Sequence, residues 1–107
     1  MSHKLIPTPQ LGAAMALVQL LIEFPDLPHA SWSVDQSTGI LSGHIHNATF
    51  DALTEYASML GGSVRPGHDF PMQGRMMRPH NLHTVWRDVQ VGVTVVLPVP
   101  VQTAVAA

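Results

Sequence analysis

Large apolar and polar residues alternate along residues 82–95, which is the pattern of a β-hairpin with one buried face. A two-residue turn at Arg87-Asp88 would place Trp86 opposite Val89, Thr84 opposite Val91 and Leu82 opposite Val93. Because directly opposed residues point to the same side of a sheet, the large apolar side chains other than Val85 share one face. The other face would carry His83, Val85, Gln90, Gly92 and Thr94.

A second hairpin is predicted earlier in the chain, with strands over residues 31–35 and 40–46 and a turn over residues 36–39. In this register Val34 opposes Leu41. Trp32 opposes Gly43, whose missing side chain leaves room for the indole ring. The outward face would carry Ser31, Ser33, Ser42, His44 and His46.

A first helix is predicted from Pro9 to Phe24, ahead of both hairpins. Thr8 is a suitable N-cap, and Pro9 stands at the first helical position, where the missing N–H of proline costs nothing. Pro25 and Pro28 would end the helix, because proline cannot continue it.

This first helix is apolar on nearly all sides. Its apolar residues at helical spacing are Leu11, Ala14, Met15, Val18, Leu21 and Ile22, and Leu17, Leu20 and Phe24 widen the stripe. Only a narrow strip suits contact with water, formed by Gly12, Ala16, Gln19 and Glu23. We therefore expect either that other segments of the chain surround the helix or that a second copy of the protein covers part of it.

A second helix is predicted to start at Asn47 or Thr49 and to end at Gly61-Gly62, a favourable C-cap pair. Asp51 in its first turn suits the helix dipole. The predicted buried stripe consists of Phe50, Leu53, Ala57 and Leu60, with Tyr56 and Met59 at its margin.

Residues 63–81 are predicted to be irregular, because five prolines and glycines interrupt them. The interrupting residues are Pro66, Gly67, Pro71, Gly74 and Pro79. Within this stretch, residues 63–65 could form a short edge strand. Pro98 and Pro100 would end the last strand after Leu97, and residues 1–7 and 98–107 are expected to be flexible ends.

These elements predict an α+β fold with the order α-ββ-α-(β)-ββ, in a single domain spanning residues 1–107. The faces of the hairpins and the apolar helix stripes are satisfied by a two-layer sandwich. It would consist of a four- to five-stranded, mostly antiparallel sheet with two helices on one face.

Composition argues against several classes of protein. Charged residues make up only 11% of the chain, and five basic against seven acidic residues give a net charge of −2. This balance provides no general attraction to nucleic acid or to an anionic membrane. The chain has no cysteine, its first residues do not resemble a secretory signal, and residues 11–24 are too short to span a bilayer. We therefore expect a cytoplasmic protein without a membrane partner.

Two histidines form the clearest chemical pattern in the sequence. His44 and His46 would lie on the same face of a strand, close enough to share a metal ion. They are only half of a site, however, because the residues expected across the hairpin are serines. His80 and His83 are three residues apart and would point to opposite faces of a strand. The sequence therefore implies no cofactor, and His44 and His46 are weak candidates for a metal site.

No catalytic motif is present, and we expect a binding protein rather than an enzyme. None of the serines lies in a Gly-x-Ser-x-Gly elbow, and there is neither a glycine-rich phosphate loop nor a pair of carboxylates in a recognisable setting. His68 and Asp69 could form an acid–base pair, but adjacent loop residues rarely orient one another.

The candidate binding residues are Arg65, Arg75, Met76 and Arg78, all in the segment predicted to be a loop. Methionine side chains adapt to varied partners, and Met72 and Met77 add to this apolar surface. Together with the first helix, they favour a module that binds a protein partner or a second copy of itself, forming a homodimer. The alternatives are a nucleic-acid-associated regulator that uses the basic segment 65–80 and a metal-dependent activity at His44 and His46.

Four short segments resemble short uncharacterised α+β proteins of actinobacteria and their mobile elements. The segments are Ala30-Ser31-Trp32-Ser33-Val34, Leu41-Ser42-Gly43, Leu60-Gly61-Gly62 and Trp86-x-x-Val89-x-Val91-x-Val93. The single lysine, Lys4, and the many alanines and valines agree with such a genome. The resemblance covers roughly residues 28–97 and concerns structure alone, so it implies an α+β fold and no activity.

Overall fold

A computed structural model describes residues 9–46 and 49–100, which form two helices and six strands. The elements are α1 (Pro9–Glu23), β1 (Ser31–Val34), β2 (Leu41–Ile45), α2 (Phe50–Leu60), β3 (Ser63–Pro66), β4 (Phe70–Met72), β5 (Arg75–Trp86) and β6 (Val89–Pro98). α1 ends one residue before its predicted limit, and α2 begins one residue after Thr49, the later of its two predicted starts. The predicted helix starts Thr8 and Asn47 fall outside the described residues, as do residues 1–7 and 101–107 of the predicted flexible ends.

The strands form one mixed sheet with the order β1-β2-β6-β5-β3, and β4 pairs with β5 beyond the end of β3. All pairs are antiparallel except β2 with β6, which run parallel. Both helices pack on the same face, α1 over β1, β2 and β6, and α2 over β5 and β6. The α+β prediction is confirmed, with one strand more than expected.

The C-terminal hairpin has the predicted register, with Trp86 opposite Val89 and Leu82 opposite Val93. Arg87 and Asp88 both have positive φ, at 49° and 64°. Two consecutive residues of this kind form the type I′ turn that matches the twist of a hairpin. Val85 is exposed on the face away from the helices, as the alternation predicts.

The prediction that residues 63–81 are irregular is wrong for much of this stretch, because β5 begins at Arg75 and runs through Pro79. Proline is tolerated there because of where its nitrogen lies. The carbonyl of Pro79 accepts a hydrogen bond from the N–H of Gly67, at 2.7 Å. The nitrogen of Pro79 faces the same edge, in the gap between the end of β3 and the start of β4, so no bond between paired strands is lost.

The last strand also ends slightly later than predicted. Pro98 is the final residue of β6, and Val99 donates its N–H to the carbonyl of Met76, at 2.9 Å. Residues 98–100, assigned to a flexible end from the sequence, therefore continue alongside β5.

The N-terminal hairpin is confirmed in register, with Val34 opposite Leu41 and Trp32 opposite Gly43. A Cβ atom at Gly43 would lie 2.7 Å from Cζ3 of Trp32, so only glycine fits beneath the indole. The indole also packs edge-on against the ring of Tyr56, with 6.2 Å between the ring centroids. Gly43 thus lets β2 lie close to the residues that join α2 to the sheet.

Tyr56 belongs to the core rather than to its margin, which corrects the prediction for α2. Its side chain is buried, and its hydroxyl donates a hydrogen bond to the carbonyl of Pro28. Burial raises the pKa of this hydroxyl above the usual tyrosine value. Phe50, expected in the buried stripe, is instead partly exposed and packs edge-on against His80, with ring centroids 5.3 Å apart.

The turn of the N-terminal hairpin makes the free energy of unfolding depend on pH in the acid range. The Asp35 carboxylate accepts the backbone N–H groups of Thr38 and Ser37, at 2.9 and 2.8 Å, and these bonds hold its pKa below the usual value. The ionised carboxylate therefore contributes stability above about pH 4, and this contribution is lost as the pH falls through the pKa of the folded state.

We expect the free energy of unfolding to fall less between pH 5 and pH 3 in Asp35→Asn than in the wild-type protein. Asparagine keeps an acceptor oxygen for the turn but has no charge to lose. Urea unfolding at a series of pH values measures this difference. The Asp69 carboxyl, whose pKa is also lowered, by its hydrogen bond to Arg78, contributes in the same pH range and accounts for a remainder in the variant.

Candidate functional site

The side of α1 that faces the sheet combines two alanines with leucine, and it excludes Met15, Val18, Leu21 and Ile22. Ala13, Ala16 and Leu20 are buried, so Ala16 does not belong to the water-facing strip predicted from the sequence. The indole N–H of Trp86 donates to the carbonyl of Ala16 at 3.1 Å. Alanines allow the helix backbone to lie close enough to the sheet for this bond to form.

The opposite side of α1 is therefore apolar and exposed. Met15, Val18, Leu21 and Ile22 have exposed fractions of 61%, 53%, 52% and 66%, and we call these four residues the α1 apolar surface. Leu11 continues the same side toward the start of the helix and is also exposed. Met15, Val18 and Ile22 follow the three- and four-residue spacing that places side chains in one row along a helix.

The charged residue at the end of α1 is paired within the protomer. Glu23 is the only charged residue of α1, and its carboxylate forms an ion pair with Arg87 at 2.6 Å. Phe24 packs edge-on against Trp86, with ring centroids 5.4 Å apart. These contacts fix the end of α1 to the tip of the C-terminal hairpin.

The arginines predicted to bind a partner do not form one basic patch. Arg78 is in a two-bond ion pair with Asp69, at 2.7 and 3.1 Å, which raises the pKa of the guanidinium. Arg65 lies opposite Asn81, and Arg75 lies six residues before Asn81 on β5, or about 20 Å along the strand. The segment 65–80 is thus an extended part of the sheet with separated charges.

The methionines of the same region are only partly available to a partner. Met72 and Met76 are exposed, whereas Met77 is half-buried on β5 opposite Pro98. Of the predicted binding residues, Met76 neighbours Arg75 and lies near Arg78, but Arg65 is distant from them. The sequence-based grouping of these four residues into one surface gains no support from their positions.

The histidines are also spread over the molecule. His44 is exposed on β2 and His46 is exposed directly after it, whereas His80 faces the helices and His83 faces away from them. Within residues 9–46 and 49–100, no group of three histidine, cysteine, aspartate or glutamate side chains is placed to hold a metal ion. The metal-dependent alternative therefore remains a prediction for which no third ligand of these types is in place.

The face of the sheet away from the helices, here called the open face, carries two rows of residues across five strands, all polar except Gly92. The first row is Ser31, His44, Thr94, Asn81 and Arg65, and the second is Ser33, Ser42, Gly92, His83 and Ser63. Neither row contains an aspartate, a glutamate or an aromatic residue. This arrangement has no signal in the sequence, because it depends on the pairing of β3 with β5 and of β2 with β6.

A groove of about 450 Å³ runs over the middle of the open face and passes above Gly92. A Cβ atom at Gly92 would meet nothing closer than the carbonyl oxygen of Leu82, at 3.9 Å. The missing side chain therefore leaves a depression at the centre of the two rows. The polar side chains around it are Ser42, His44, Asn81, His83, Gln90 and Thr94.

Comparison with known proteins provides no identification for this chain. No protein-family model, curated protein or solved structure matches it. Neither helix of the described residues combines the length and the apolar character needed to cross a membrane. The resemblance to short actinobacterial proteins therefore stays a prediction from the sequence, and the chain is placed by its fold alone, as a mostly antiparallel α+β protein.

Proposed function

We propose that this protein is a protein-binding module that acts as a homodimer, joined through the α1 apolar surface. The observation that carries the proposal is the exposure of Met15, Val18, Leu21 and Ile22 on a helix whose opposite side is already packed on the sheet. Contiguous apolar surface of this kind typically marks an interface with another protein.

A second copy of the chain is the occupant that the chemistry favours. Two α1 helices related by a twofold axis would bring the same row of side chains together, as symmetric dimers require. Val18 lies near the middle of the helix and would contact its own counterpart close to the axis. Because Glu23 is paired with Arg87 in each copy, the two Glu23 carboxylates would repel each other little.

The dimer is expected to dissociate on dilution. A helix of 15 residues is about 22 Å long, so one pair of helices buries less than the roughly 1,600 Å² of a standard interface. We therefore expect the mass measured by light scattering after gel filtration to rise from monomer to dimer as the protein concentration increases from micromolar toward millimolar.

The variant Val18→Glu tests the proposal directly. The side chain of Val18 is half exposed in one protomer, so a charge is tolerated there in the folded monomer. In the dimer, two glutamates would meet near the axis without a cationic partner, and we expect the protein to remain monomeric at every concentration.

The control is Ser58→Glu, which adds the same charge at an exposed position of α2. This variant should dimerise like the wild-type protein, and circular dichroism should show that both variants are folded. A wild-type protein that stays monomeric up to millimolar concentration would overturn the proposal. Equal effects of both glutamates would do the same.

A further inference from the structure

We propose that the open face binds a phosphomonoester, a ligand role separate from the proposed dimer. The phosphate group would be held by Ser63, Arg65, Asn81 and His83, and the organic part would lie in the groove above Gly92. The ligand belongs to the class of small phosphorylated compounds whose organic part carries hydroxyl groups.

The four residues occupy neighbouring positions on the open face because β3 and β5 are paired. Ser63 lies opposite His83, and Arg65 lies opposite Asn81. Side chains directly opposite in an antiparallel pair have Cβ atoms about 5 Å apart, and diagonal neighbours are about 7–8 Å apart. Arginine, histidine, asparagine and serine side chains at these spacings can all contact a single phosphate group.

A hydrogen bond orients Asn81 toward this cluster. The hydroxyl of Thr94 donates to Oδ1 of Asn81 at 2.7 Å. The amide nitrogen consequently lies on the side of β3, where a Cβ atom at Gly67 would be 3.4 Å from Nδ2 of Asn81. The amide thus presents its N–H donors on the edge that also carries Arg65.

The charge around Arg65 favours an anion. Among the described residues, the ion pairs are those of Arg78 and Arg87, so Arg65 has no carboxylate partner there. Both rows of the open face lack acidic residues, so no carboxylate in these rows neutralises its charge. A guanidinium binds phosphate through two parallel hydrogen bonds. Three terminal oxygens can accept the remaining donors of the cluster, whereas a carboxylate has only two.

The groove explains why the ligand would be an ester rather than free phosphate. It continues from Asn81 and His83 across Gly92 to Ser42 and His44. Its volume of about 450 Å³ lies within the range of small-molecule sites. The hydroxyl, imidazole and amide groups along it suit an organic part with hydroxyl groups.

A nucleic acid strand is a poorer fit to the same surface. Base stacking requires aromatic side chains, and neither row of the open face provides one. The next arginine on this side of β5, Arg75, is about 20 Å from the level of Arg65. A single cationic point beside a polar groove suits one phosphate group rather than a chain of them.

The test is a titration of the isotope-labelled full-length protein, followed by amide chemical shifts, with inorganic phosphate, ribose 5-phosphate and ribose as probes. We expect shifts at Ser63, Arg65, His83 and Gly92 and tighter binding of ribose 5-phosphate than of inorganic phosphate. Ribose alone should give no saturable shifts. Arg65→Gln should weaken ribose 5-phosphate binding at least tenfold. Arg75→Gln removes the same charge at the start of β5, away from the cluster, and should change the affinity less than twofold.

The variant Gly92→Val tests the groove separately from the charge. Gly92 is not among the residues with positive φ, and the space above it is open, so valine should fill the groove without lowering the melting temperature. Ribose 5-phosphate should then bind no more tightly than inorganic phosphate.

Three results would overturn the proposal. The first is the absence of saturable shifts at the named residues with millimolar ribose 5-phosphate. The second is an equal loss of affinity in Arg65→Gln and Arg75→Gln. The third is tighter binding of an oligothymidylate than of ribose 5-phosphate, lost steeply with added salt, which would assign the surface to nucleic acid.

Discussion

Leu82→Ala is expected to lower the free energy of unfolding by about 2–5 kcal/mol, the range for truncating a fully buried leucine. Leu82 has no exposed surface and lies in the middle of β5, opposite Val93 on one side and Val64 on the other. Its side chain belongs to the core under α2, together with Leu53. Alanine would leave a cavity that two paired strands cannot close.

Val85→Ala is the matched control, since it also truncates an apolar residue of β5. The side chain of Val85 is 62% exposed on the open face, so its truncation should change the free energy of unfolding by less than about 0.5 kcal/mol. Urea unfolding of both variants measures the difference. Similar losses in the two variants would mean that the faces of β5 are assigned incorrectly.

Gly62→Ala is expected to lower the free energy of unfolding by about 2–5 kcal/mol, because it combines backbone strain with steric overlap. Gly62 has a φ of 99°, and a Cβ atom there would lie 2.3 Å from the carbonyl oxygen of His83 and 2.7 Å from Cβ of Thr84. The backbone of β5 would have to move away from the connection between α2 and β3. Both the helix end and the edge strand would lose their positions.

Gly61→Ala separates strain from overlap. Gly61 also has a positive φ, 76°, but nothing lies within 4 Å of a Cβ atom at that position. This variant should therefore lower the free energy of unfolding only through backbone strain, by about 1–3 kcal/mol. Chemical denaturation of the two variants under identical conditions provides the comparison, and an equal loss in both would contradict the predicted overlap.

The two hairpins could be predicted from the sequence because their determinants are local. Alternation assigns each residue of β6 to a face, and the turn at Arg87-Asp88 fixes which residues are opposed. The same holds for Trp32 and Gly43, because the indole needs an opposite residue without a side chain. Register and face were correct for both hairpins for this reason.

The orientation of α1 could not be predicted in the same way. A helix that is apolar on all sides offers no periodicity that selects one face. The face that packs on the sheet is decided by how closely the helix backbone can approach. Ala13 and Ala16 let the helix lie close to the sheet, where the carbonyl of Ala16 accepts the indole N–H of Trp86. Residues with the larger side chains, such as Ile22, are consequently left outside.

The cluster on the open face was beyond sequence analysis for a different reason. Pro79 and Gly74 suggested an irregular segment, so the N-terminal half of β5 was not recognised as a strand. Without β5 in full, the pairing that brings Arg65 to Asn81 has no basis. The site depends on contacts between strands. Proline predicts a break in a strand, but Pro79 is tolerated in β5 because it lies beside the gap between β3 and β4.

The single parallel pair of the sheet has a consequence for the order of folding. β2 joins β6 through residues about fifty positions apart, such as Leu41 and Val91, whereas β5 and β6 are joined by a two-residue turn. Closing a long loop costs more entropy and is slower than forming a hairpin. We therefore expect the C-terminal strands to assemble first and the segment from α1 to β2 to dock last, which leaves the apolar edge of β6 open to other chains until that step is complete.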